Sequence, residues 1–193
     1  MIRWKYILIS LGIGLCLCAA ILAVYYLWED NRAAKFSDEL LQQVQPSANS
    51  ASSVYDTSIS SMSTGETKAS EHVWAVLEIP KLGLRLPVWD TYSEEQLRKT
   101  PCRYGEEECQ DGQFIFAGHN YQSHFGRLYQ LQAEDIVNVS LMDGAQRQYR
   151  VTQVDEIAGT SRSQLFTGDW DLTLFTCDFS GQYRVLVRCV EIG

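Results

Sequence analysis

The apolar positions of this chain fall into three textures. From Tyr6 to Trp28, "YILISLGIGLCLCAAILAVYYLW" carries no charged side chain. A run of that length predicts one helix spanning a bilayer core. The next stretch, "EDNRAAKFSDELLQQVQ", continues as a short juxtamembrane helix. Pro46 to Ser70 is Ser-rich with few large apolar residues. Such a segment buries too little surface to offset its ordering entropy, so it reads as a flexible tether. From His72 onward the texture is short apolar or alternating runs, which predict strands: "VWAVLEIP", "LRLPVW", "GQFIFAGH", "DIVNVSLM", "RQYRVTQVDEI", "DLTLFTC" and "YRVLVRCVEI". Pro80-Lys81-Leu82-Gly83, Asp111-Gly112, Asp143-Gly144, Thr167-Gly168-Asp169 and Ser180-Gly181 separate them as turns. "SEEQLRKTP" predicts a short helix capped by Ser93, and "HFGRLYQL" a helical turn. The expected architecture is mainly β: seven or eight short strands with two helical insertions in a single β-barrel of mixed strands, preceded by an N-terminal transmembrane helix. The chain divides into a cytoplasmic stub and anchor (1–28), a juxtamembrane helix and tether (29–71) and the barrel (72–193).

Charge adds direction. Arg3 and Lys5 precede the apolar run, and Glu29 and Asp30 follow it. The positive-inside rule puts the N-terminus in the cytoplasm and the barrel outside, with Tyr25, Tyr26 and Trp28 at the outer interface. A cleavable signal peptide is the rival reading, but its apolar region is usually shorter. The formal charge of −8, without clustered Lys or Arg, argues against a nucleic-acid partner.

Of six cysteines, Cys16 and Cys18 lie inside the apolar run. Cys102 and Cys109, within "PCRYGEEEC", form either a disulfide or two free thiols, and both readings stand. No second Cys or His pair lies nearby at zinc-like spacing.

The last hairpin, "TLFTCDFSGQYRVLVR", carries the chemistry. A symmetric turn about Ser180-Gly181 sets Cys177 opposite Arg184, on one face. The guanidinium favours the thiolate, the nucleophilic form, and offers donors to a developing oxyanion. The rival is a structural cysteine beside a surface arginine. Among three histidines, His119 ends the apolar strand "GQFIFAGHN" behind small residues that leave room for a substrate backbone. His72 reads as solvated at the domain edge and His124 as a loop residue. A Cys–His pair is a known arrangement for covalent catalysis.

At these residues the sequence resembles a sortase. "TLFTC" matches the family's TLxTC strand, "RVLVR" the arginine-bearing strand after it, and "AGHN" the upstream histidine motif. "LEIPKLGLRLPV" and "HFGRLYQLQAEDIVNV" are similar to other family segments, so the likeness covers about Trp74 to Ile192. The resemblance implies a single closed β-barrel of about eight strands with one or two short helices, and a membrane-anchored cysteine transpeptidase with Cys177 as nucleophile, His119 as general acid then base, and Arg184 as oxyanion and positioning group. Thr176 and Asn120 would help bind the peptide. The implied substrates are proteins bearing an LPxTG-like sorting signal. The implied acceptor is an amine of a lipid-linked peptidoglycan precursor or a pilin lysine, at a Gram-positive cell surface. The short connection between Cys177 and Arg184 is class B- or D-like, and "YDTSIS" is not the lid motif of pilin-building members. No cofactor is expected. Glu106 to Glu108 are candidate calcium ligands, with a solvated acidic loop as the favoured alternative. The functional rivals are a hydrolytic cysteine peptidase, a non-catalytic wall-peptide-binding domain and a thiol-redox protein using Cys102 and Cys109, which lack the C-x-x-C spacing.

Overall fold

The computed structural model describes residues 2–44, 72–109 and 112–192. The expected tether and the "YDTSIS" stretch lie outside the described residues. Helix α1 spans Ile2–Val44 without a break, about 65 Å at the usual rise per residue. Among the described residues it alone is long and apolar enough to cross a membrane. Ile9, Leu11, Ile13, Leu15, Leu17, Ile21 and Leu22 are exposed along it, an arrangement unsuited to water.

The second half of α1 does not stand away from the folded domain. Ala33, Ser37, Leu40 and Leu41 are buried, at the three- and four-residue spacing of one helix face. Phe36 stacks on Trp89 with ring centroids 6.0 Å apart. Leu40 packs with Val73, Trp89 and Cys102, and Ser37 donates to the Lys99 carbonyl.

The domain is a closed barrel. Its strands are β1 (Val73–Ile79), β2 (Leu84–Trp89), β3 (Cys102–Arg103), β4 (Phe114–Ala117), β5 (Ile136–Leu141), β6 (Gln146–Ala158), β7 (Leu172–Cys177) and β8 (Tyr183–Glu191). They close in the order β1-β2-β3-β4-β7-β8-β6-β5. The seven apolar runs are all strands. The eighth strand, β3, has two residues, too few to show a period. Helix α2 (Glu94–Leu97) is capped by Ser93, whose side chain accepts from the Gln96 N–H. The helical turn after His124 is a 3-10 turn at Leu128–Gln130.

Strands β4 and β7 pair in parallel, and both faces of each are covered, as parallel strands require. Phe114, Phe116, Leu172, Leu174 and Val187 point inward to the main core. Ile115, Ala117, Phe175 and Leu186 point outward and pack under Leu165 of the β6–β7 connection. Arg188 fastens that connection. It is buried and donates to the carbonyls of Gln164 and Leu165 and to Thr173 Oγ1.

Candidate active site

Register alone assembles the site. In the β7–β8 ladder Cys177 is paired with Arg184, so both side chains leave the same face. The turn is wider than a two-residue corner: the Asp178 N–H bonds the Tyr183 carbonyl at 2.9 Å. It is symmetric about the same centre, so the expected pairing is retained. The Asp178 carboxylate accepts from the Ser180 N–H and hydroxyl and from the Tyr183 N–H. The Ser180 hydroxyl, first among these, holds the Asp178 pKa down.

On the other side of β7, Ala117 is level with Phe175 and the Gly118 N–H bonds the Phe175 carbonyl. Two residues further along come His119 and Cys177. Adjacent strands lie about 4.8 Å apart. Phe175 and Leu186 share the outer cluster; two residues on from the first and two back from the second, alternation places Cys177 and Arg184 on that face. β4 ends at Ala117, so His119 lies on the loop two residues past its end, beside the end of β7 that carries Cys177. Among the described residues no hydrogen bond joins thiol and imidazole; such contacts commonly tighten only when substrate binds. Of the four cysteines beyond α1, Cys177 alone is exposed.

Arg184 Nη1 donates to the Gly159 carbonyl. A guanidinium has five donors, so this tether orients the fork while leaving donors for a substrate oxygen. Burial lowers the His119 pKa and outweighs the opposing bond from the Asn120 side chain. Asn120 Nδ2 also donates to the Asp178 carbonyl at 3.3 Å, linking the His119 loop to the Cys177 hairpin. Thr176 alternates to the inner face, where it is buried with its hydroxyl unpartnered. Asn120, Thr176 and Cys177 line a cavity of about 290 Å³ together with Phe125, Tyr129 and Glu156. A larger cavity of about 650 Å³, between the end of α1 and strands β1 and β5, has neither cysteine nor histidine in its lining.

The glycine before His119 has a different use from the one its size suggests. A Cβ on Gly118 would sit 2.3 Å from the Phe125 ring, so that space is filled by protein rather than left for substrate. At Gly126 a Cβ would meet the Asn120 carbonyl oxygen at 2.4 Å. That neighbour is backbone of the histidine loop and cannot swing aside. Gly126→Ala is expected to cost about 1–3 kcal/mol of stability and to lower turnover by displacing His119. Thermal melts and steady-state rates on the same variant measure both.

His124 is a loop residue, as expected, but a fully buried one, and both ring nitrogens lack hydrogen-bond partners. Burial, with the neighbouring His119 adding to it, pushes its pKa down to about 4. The unfolded chain takes up this proton near pH 6.5, whereas the folded protein refuses it until about 4. Stability therefore falls as pH drops from 6.5 toward 4, by about 3 kcal/mol. Urea unfolding across that range should show a shallower slope in His124→Gln.

Cys102 and Cys109 are not joined in a disulfide. Cys102 is buried against Leu40 and Trp89, and burial pushes it up to about 12; Cys109 packs in a different cluster. A buried thiol of that kind is inert, which removes the basis for a redox pair. Glu106 pairs with Arg103 at 2.8 Å. His72 pairs with Asp90 at the domain edge.

Comparison with known proteins gives the family. The family model described as "Sortase domain" matches residues 77–192, more than half of the chain. No curated protein sequence matches it. Among solved structures, the sortase D5 transpeptidase of Clostridium perfringens aligns with 21% identity and a TM-score of 0.55, covering 63% of this chain and 79% of that one. Sortase A of Corynebacterium diphtheriae aligns with 20% identity and a TM-score of 0.54, covering 63% and 61%. Sortase C-1 of Actinomyces oris aligns with 21% identity and a TM-score of 0.55, covering 63% and 75%. Near-equal scores across three classes show a shared fold and do not rank the classes. With an exposed thiol flanked by imidazole and guanidinium strands in a barrel of this order, the chain belongs to the sortase family of cysteine transpeptidases.

Proposed function

We propose that this protein is a membrane-anchored transpeptidase that cleaves an LPxTG-like sorting signal and joins the carrier protein to an amine. The observation that supports the reading is an exposed Cys177 paired with Arg184 on β8, at the end of a strand whose other neighbour, β4, runs parallel to it and leads into the His119 loop. The Cys177 thiolate attacks the scissile carbonyl, and Arg184 donors meet the resulting oxyanion. Collapse expels the amine, protonated by His119, and leaves a thioester on Cys177. An acceptor amine then attacks the thioester while the neutral imidazole takes its proton, releasing the thiolate. Thr176 and Asn120 help bind the peptide beside the sulfur. The cavity of about 290 Å³ that contains Cys177, with Phe125, Tyr129 and Val185 in its lining, suits the apolar residues of such a signal. The acceptor is an amine of a lipid-linked peptidoglycan precursor or a pilin lysine, on a Gram-positive surface.

Residues 1–28 hold the enzyme in the membrane with the N-terminus in the cytoplasm and the barrel outside. The short β7–β8 turn favours a class B- or D-like member.

The test mixes full-length protein in detergent with a sorting-peptide library, with and without amine acceptors. Amide-exchanged products support transpeptidation. Hydrolysed peptide alone would mark a cysteine peptidase, and binding without cleavage a wall-peptide receptor. Because burial lowers the His119 pKa, the acid limb of kcat/KM should lie below the ordinary histidine value of about 6.5.

A further inference from the structure

Tyr121 follows the catalytic histidine by two residues, and its ring stacks on that of His119. The centroids are 4.4 Å apart and the planes 10° from parallel. The Tyr121 hydroxyl donates to Glu29 Oε2 at 2.7 Å. Glu29 is the first residue of α1 after its uncharged run. Two neighbouring clasps hold the same loop to the same helix. Tyr26 donates to the Asn120 carbonyl at 3.0 Å. The Ser123 N–H and hydroxyl both donate to Asp30 Oδ1, at 3.0 and 2.5 Å. Tyr26, Glu29 and Asp30 occupy one helix face, at the i, i+3 and i+4 spacing that continues into the buried stripe at Ala33, Ser37 and Leu40.

A histidine on a loop after a strand end has free rotamers, and general acid–base catalysis needs the imidazole within hydrogen-bond reach of the reacting groups. The stack fixes the plane of the ring, and the hydroxyl fixes the stacking partner. We propose that Glu29 and Tyr121 are positioning residues for His119, so that the juxtamembrane turn of α1 is part of the active site. This rests on His119 as the acid–base of the reaction.

The groups that face His119 are Glu29 from α1, Glu94 from α2, Arg98 beyond it, and Asn120, Tyr121 and His124 from its own loop; Asp30 of α1 faces His124. Burial and the Glu29 bond hold the Tyr121 pKa above its ordinary value, so Tyr121 remains a proton donor through the working range.

The experiment uses the full chain in lipid nanodiscs with a cleavable sorting peptide. Tyr121→Phe keeps the stack and removes the tie. It should lower kcat about tenfold, leave KM within about twofold and the melting temperature nearly unchanged, and move the acid limb of the pH profile. Glu29→Ala should match it, and Glu29→Gln, which keeps an acceptor oxygen, should recover part of the loss. The double variant Tyr121→Phe, Glu29→Ala should be no worse than either single change, since both cut one link.

A hundredfold loss in the double variant, or wild-type kcat and pH profile in Tyr121→Phe, would overturn the positioning role. His119→Ala run alongside separates the two levels. If it is inactive while Tyr121→Phe is wild-type, only the positioning role fails. If His119→Ala turns over normally, the acid–base assignment fails and takes the positioning role with it.

Discussion

Cys177→Ala should abolish thioester formation and lower kcat/KM by about 10⁴-fold or more, the scale seen when a covalent nucleophile is removed. Stability should barely change. The side chain is exposed at the end of β7, so truncating it opens no cavity in the core. Intact-mass spectrometry after incubation with a sorting peptide reads the result directly. Wild type gains the acyl mass; the variant does not. Buried Cys189 and Cys102 cannot substitute, because burial pushes both thiols up to about 12. Turnover retained in Cys177→Ala would remove the nucleophile, and with it the proposed reaction.

Arg184→Lys is expected to lower kcat by about 10²- to 10³-fold, the usual effect of removing an oxyanion donor, with the fold intact. A lysine keeps the charge. It cannot both hold the Gly159 carbonyl and present a second oriented donor, because its ammonium is a single point on a flexible stem. The expected signature is a fall in kcat with a smaller change in KM, and acyl-enzyme that still forms, slowly. An unchanged rate would show that charge alone matters at this position. Arg188→Lys makes an instructive comparison. Arg188 shares the outer face of β8 but is buried and bonded to the β6–β7 connection. Its loss should appear first in stability.

Much of this site could be read from local pattern. The seven strand runs follow from period-2 and apolar texture. The Cys177–Arg184 pairing follows from a turn whose centre is visible as Ser180-Gly181, even though the turn proved wider than two residues. Alternation along "RVLVR" places Arg184 and Arg188 on one face; nothing in the pattern says that one meets the substrate and the other a buried loop. The apolar spacing of Ala33, Phe36, Leu40 and Leu41 was a legible sign that α1 docks on something, and a reading that continued the helix past the anchor without asking which face it buries passed over it.

The sequence by itself determined the elements, the hairpin that sets sulfur against guanidinium, and the family. Those depend on neighbours a few residues apart, where side-chain period and turn chemistry act directly. Tertiary structure alone decided three things: that β4 lies parallel to β7 and brings His119 level with Cys177, that Phe125 fills the space beside Gly118, and that Glu29 reaches Tyr121. Each is a contact between segments whose patterns are individually satisfied by many partners. Only closure of the barrel, which leaves one arrangement with every strand paired and both faces of β4 and β7 covered, selects among them.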